Sequence, residues 1–116
     1  MWQIRIQYLK YDEWGFMESI KDLGRQVIKN NDKAADTIYQ RKPGSAEMVA
    51  PVMKQLVMFT ELLVQSGKVD ASNMERFQKW QTDFGRLAAA NEAGDLILAA
   101  DIIHHDLNKQ IEEWIK

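Results

Sequence analysis

One short run concentrates residue types that do chemistry: Asp101-Ile102-Ile103-His104-His105-Asp106. Asp101 and His105 stand four apart, so on a helix they are neighbours on one face. A carboxylate and an imidazole pointing the same way can begin a metal site, which then needs further ligands from other helices. His104 and His105 are the only histidines, so those ligands would be carboxylates such as Glu18, Glu61 or Asp83. The helical wheel opposes this. His105 falls about opposite Leu96, Leu107 and Trp114, on the solvent side, and His104 flanks the core. Adjacent histidines point about 100° apart on a helix and cannot easily share one ion. The expectation is an exposed His105 paired with Asp101 and a His104 at the core margin. A metal-binding or hydrolytic site at Asp101, His104 and His105 is the alternative. No metal or other cofactor is expected.

Other reactive arrangements are missing from the sequence. There is no cysteine, hence no disulfide frame and no thiolate nucleophile. Ser19, Ser45, Ser66, Ser72, Thr37, Thr60 and Thr82 sit in no nucleophile elbow and read as caps and surface hydroxyls. Neither GxGxxG nor GxxxxGK[ST] occurs, so no phosphate cradle is expected. His105-Asp106 resembles the paired residues of the HD phosphohydrolases. That family also requires a histidine on an earlier helix, and no histidine precedes His104, so its chemistry does not carry over.

The apolar surplus says more. Between Val52 and Val64, nine of thirteen residues are apolar, more than one buried face requires. Val52, Leu56, Phe59 and Leu63 form the core stripe, widened by Met53, Val57 and Val64. Met58 and Leu62 fall outside that arc, four apart, as a second stripe. The last helix repeats the feature with Leu98 and Ile102. A small four-helix bundle is expected to have no fully central helix, so these four residues are the candidate partner-binding surface. Methionines 48, 53 and 58 would make it adaptable. The partner is a foreign protein or a second copy of the chain, unless the N-terminal segment and the piece at 33–41 fold over the stripes.

The elements that carry these residues are helices, by period. From Asp12, the residues Phe16, Met17, Ile20, Leu23, Val27 and Ile28 share a face, and Asn30-Asn31-Asp32 stop the helix; 33–41 adds a short helical piece. Pro43-Gly44-Ser45 is a break. A second helix runs from about Ala46 or Ala50 to Gln65, with Pro51 near its start and Gly67 as its C-terminal cap. A third opens at Asp70 or at Ser72, which has the capping-box spacing to Glu75, and buries Phe77, Trp80, Phe84 and Leu87. Asp95 caps the last helix, whose core face is Leu96, Ala100, Ile103, Leu107, Ile111 and Trp114. Gly24 and Gly85 lie inside helices, where glycine costs about 1 kcal/mol against alanine; close helix packing is the expected reason. Residues 2–11 fit both a strand and a helix; a helix or ordered arm is expected, since a lone strand has nothing here to pair with.

The fold expected is all-α: an antiparallel four-helix bundle with a short extra helix and an N-terminal arm or helix, in a single domain over residues 1–116. Its 116 residues are enough for one core. A net charge of −2 with no basic stripe argues against nucleic acid. No apolar run approaches the roughly 20 residues that span a membrane, and no signal peptide is evident at the N-terminus. A cytoplasmic protein is expected.

The last third, Leu87 to Trp114, and within it Gly94-Asp95-Leu96-Ile97-Leu98-Ala99-Ala100-Asp101-Ile102, resembles the C-terminal part of uncharacterised small helical bacterial proteins, associated with flagellar and surface-glycosylation genes. Size and layout are also similar to those of flagellar export chaperones, small helical bundles that hold an export client in an apolar groove. That resemblance implies a non-enzymatic adaptor or chaperone binding a partner helix.

Overall fold

Asn30, Asn31 and Asp32 look like a helix stop, yet the helix runs through them. In the computed structural model, which describes the backbone of residues 13–116 and the side chains of residues 19–116, helix α1 spans Glu13–Tyr39. The separate piece expected at 33–41 is instead mostly the last part of α1. Asn and Asp weaken helices when their side chains turn back onto the local backbone. Here those side chains bond to other helices. Asn30 Nδ2 donates to Gln55 Oε1 at 3.0 Å, Asn31 Nδ2 to Asn108 Oδ1 at 2.8 Å, and Asn108 Nδ2 to Asp32 Oδ1 at 2.8 Å. The buried face of α1 (Ile20, Val27, Asn31, Ala34, Ala35, Ile38) keeps the helical period. The readings of residues 2–11 and of Phe16 and Met17 lie outside the described side chains.

Past Tyr39, the Lys42 N–H donates to Thr37 O at 3.1 Å and the Arg41 N–H to Ile38 O at 3.0 Å. This is a Schellman closure, and it places Arg41 at φ 54°. A 3₁₀ turn at Ser45–Glu47 leads into α2, Val49–Gln65. Pro51 falls in its first turn, where a missing N–H loses no intrahelical bond. Gly67, at φ 79°, follows its end as expected.

Of the two residues offered for the cap of the third helix, the structure selects one. Asp70, not Ser72, opens it: an Asp70 carboxylate oxygen accepts from the Ser72 N–H at 2.9 Å, and Asn73 Oδ1 accepts from the Asp70 N–H at 2.9 Å. Asp outcompetes Ser because its charged oxygen is the stronger acceptor at a helix N-terminus. A 3₁₀ turn (Ala71–Asn73) then runs into α3, Met74–Glu92. Gly94, at φ 72°, makes the same closure as Arg41: its N–H donates to Asn91 O and that of Asp95 to Ala90 O. Asp95 caps the last helix by accepting from the Leu98 N–H at 3.1 Å. That helix is α4 (Leu96–Asp101), a π-helical turn (Ile102–Leu107) and α5 (Asn108–Trp114).

Four helices pack against one another, and no strand occurs among the described residues. α1 packs on α2 and along the last helix, and α3 packs along the last helix from the other side. α2 and α3 meet through large side chains: the Phe59 and Trp80 rings are 5.7 Å apart, tilted at 59°. Phe59, Leu56, Leu63, Trp80, Leu87, Ile103, Leu107 and Ile111 are sealed from solvent in one core. Among the described residues, no helix is long and apolar enough to cross a membrane.

Candidate functional site

The π-helical turn contains His104, His105 and Asp106, and Asp101 immediately precedes it. It holds more residues per turn than an α-helix, so His105 does not return over Asp101. Asp101 instead accepts a hydrogen bond from the Tyr39 hydroxyl at the end of α1. Burial, that bond and the Asp101 charge push the Tyr39 pKa up to about 12. His104 Nδ1 lies 2.9 Å from Asp32 Oδ1. It is half-exposed, and the exposed His105 stands edge-on to it with ring centroids 4.7 Å apart. The expected His105–Asp101 pair is therefore replaced by Asp101–Tyr39 and His104–Asp32, both tying α1 to the last helix. Among the described residues, no group of three His, Asp or Glu side chains converges as a metal site would require.

A second polar hub was missed in the sequence. Asp83, a candidate metal ligand by residue type alone, has its carboxylate buried between α3 and the last helix. Lys79 Nζ and Arg86 Nη1 each lie 3.0 Å from it, and Gln110 Nε2 donates to it at 2.8 Å. Burial alone pushes this carboxyl's pKa up, but the three donors more than offset that and hold it below the usual carboxylate range. Arg86 extends the chain to Asp106 at 3.2 Å. A carboxylate so fully occupied locks helices together and is poorly placed for acid–base work. The spacings Lys79–Asp83 and Asp83–Arg86 were the available signal.

The apolar candidates divide. Leu62 is 4% exposed and Ile102 1%, so both are core and neither can be a surface contact. Leu62 lies two turns beyond Gln55, on the side of α2 that meets α1. Ile102 is covered because the last helix has α1 on one side and α3 on the other, a near-central position that the bundle was not expected to contain. Met58 and Leu98 remain about 40% exposed, at 39% and 40%.

A better-formed apolar surface lies between α2 and α3. A furrow of about 270 Å³ is lined by Val57, Thr60 and Glu61 from α2 and by Trp80, Gln81 and Phe84 from α3. Trp80 is its floor, fixed by its Nε1–H donating to Thr60 Oγ1 at 2.8 Å. Val57 is 44% exposed on one wall, and Val64 and Met74 are further exposed apolar side chains on the same two helices. On α3, one residue past Phe84, Gly85 is exposed, and a β-carbon placed there would meet nothing within 4 Å. The packing expected of Gly85 is therefore absent. Gly24 does have it: a β-carbon there would come 2.6 Å from Ile115 and 3.2 Å from Phe59.

No family model matches the chain, and no curated protein or solved structure gives a significant match.

Proposed function

We propose that the chain is a non-enzymatic, cytoplasmic protein-binding bundle, an adaptor or export-chaperone-like module, that takes a partner helix in the furrow between α2 and α3. The observation that carries this reading is the furrow itself: apolar walls at Val57 and Phe84 over a buried Trp80 held in place by Thr60, with Gln81 and Glu61 as its polar lining. That is the make-up of a helix-binding groove, apolar at the centre and polar at the edge. An antiparallel arrangement of the four helices would give the furrow straight walls, and the short 93–95 connection favours it. Gly85 leaves room beside it for a second backbone to come close.

The test is affinity capture from the source cell with wild type and Val57→Glu side by side, followed by affinity measurement on what is retained. Val57 is exposed, so the variant should keep its helical circular dichroism and melting point. Expected is a partner held by wild type and weakened at least about tenfold by the charge. A partner held equally by both baits, or by neither, removes the furrow as the site. Mass in solution that falls on dilution for wild type but not for Val57→Glu would identify the partner as a second copy of the chain.

A further inference from the structure

The ends of α1 and α3 close with the same hydrogen-bond pattern, and they flank one depression. At α3 the left-handed position is Gly94; at α1 it is Arg41, at φ 54°. Left-handed backbone strains any side chain with a β-carbon, and glycine is the usual solution. A cation near a helix C-terminus does favour the dipole, but any residue of the last turn can supply it; that benefit does not require the strained position. Arg41 thus breaks a local rule that the same molecule obeys at Gly94, and such breaks gather at functional sites.

That depression supplies a use. It is shallow and open, of about 420 Å³, and is lined by Leu96 and Ile97 together with Arg41, Lys42, Ser45 and Asp95, over the buried Ile38. Ile97 is 43% exposed, an apolar wall open to a ligand. Asp95 is already engaged as the cap of the last helix. Arg41 and Lys42 are exposed, and among the described residues neither side chain has a hydrogen-bond or ion-pair partner. Two free cations therefore stand against one engaged carboxylate, beside an apolar surface.

We infer that this depression binds a small aliphatic carboxylate, the anionic head on Arg41 and Lys42 and the apolar body against Leu96 and Ile97. Arg41 is retained in a strained conformation because its planar fork can grip a carboxylate with two N–H groups at once. The site is separate from the α2–α3 furrow and stands or falls independently of it. One chemistry has two sources: a free alkyl acid, or the last residue of a polypeptide with an apolar side chain and a free α-carboxylate.

The experiment titrates full-length protein, with amide shifts at Ile38, Arg41, Lys42 and 94–97 as readout, using octanoate against octanol and acetyl-Leu-Leu acid against its amide. Expected is binding of at least one acid, with its neutral analogue at least about tenfold weaker. Whichever acid binds more tightly names the source. Arg41→Gly should raise the melting temperature by about 4 °C, because the strain is relieved, and should weaken the acid at least tenfold. Arg41→Lys should keep the strain and lose part of the affinity. The proposal is overturned if neither acid shifts these amides at millimolar concentration, if acid and neutral analogue bind alike, or if Arg41→Gly binds as wild type or fails to gain stability.

Discussion

Gly24 and Gly85 both lie inside long helices, and the space around them differs completely. Gly24 is walled in by Ile115, Phe59 and Ile111, where α1, α2 and the last helix converge. Gly85 faces open space on α3. Around Gly24, helices are held at fixed separation by close contact and by the network of Asn31, Asn108, Asp32 and His104. Near Gly85, α2 and α3 are spaced by Phe59 and Trp80, and the outer part of the seam is left open and apolar. One side of the bundle is built for a single arrangement of helices. The other carries surface that the described fold does not use.

Phe59 belongs to both regions, because it touches the space at Gly24 and packs on the furrow floor at Trp80. Phe59→Ala should therefore be the most damaging change, costing about 3–5 kcal/mol as a buried aromatic truncation. Urea unfolding followed by tryptophan fluorescence measures it. A loss under about 1 kcal/mol would mean that the two regions do not share a core.

The polar lock is tested next. Asn31→Leu should cost about 1–3 kcal/mol, because it strips the buried Asn108 Oδ1 of its donor. Adding Asn108→Leu should cost less than the sum of the single changes, since the paired polar groups then leave together. Additive losses would show that the two amides are not coupled. Gly24→Ala is expected to lose about 1–2 kcal/mol: the crowding at Ile115 and Phe59 exceeds the roughly 1 kcal/mol that alanine gains in a helix.

These same places explain what the sequence made legible. Gly67 and Asp95 marked helix ends through local rules, and Phe59, Trp80 and Leu107 were core by period alone. The continuity of α1 was not legible, because Asn31 finds its partner 77 residues away and nothing local announces it. Arg41 hid a Schellman closure because the expected glycine is not there. The π-helical turn leaves the apolar pattern nearly intact while re-aiming the side chains within it, so the Asp101–His105 pair looked sound on an α-helical wheel. Leu62 and Ile102 were assigned outward because a wheel sees one helix, and burial depends on how many neighbours flank it.

Acid should weaken the Asp83 seam. A carboxyl whose pKa is lower folded than unfolded contributes stability above its unfolded value, about 3.9, and loses it as pH falls through the folded value. The advantage of wild type over Asp83→Asn in thermal melts should thus be constant near neutrality and shrink below about pH 4. Lys79 and Arg86 are largely exposed, so solvent screens the pair and the effect stays below that of Asn31→Leu. A gap that does not change with pH would mean that Asp83 acts through shape alone.

Gly85→Ala carries the smallest change and bears most directly on the contrast. The added β-carbon meets nothing, so the only folded-state effect is on helix propensity, and the variant should gain about 0.5–1 kcal/mol. A glycine on an open helix face next to the apolar furrow leaves room for the backbone of the proposed partner to approach closely. Gly85→Ala should therefore melt higher and bind less of whatever Val57→Glu releases. If it melts higher and binds undiminished, the partner does not cross α3 at Gly85, and the furrow must be occupied from the α2 side, over Val57 and Val64.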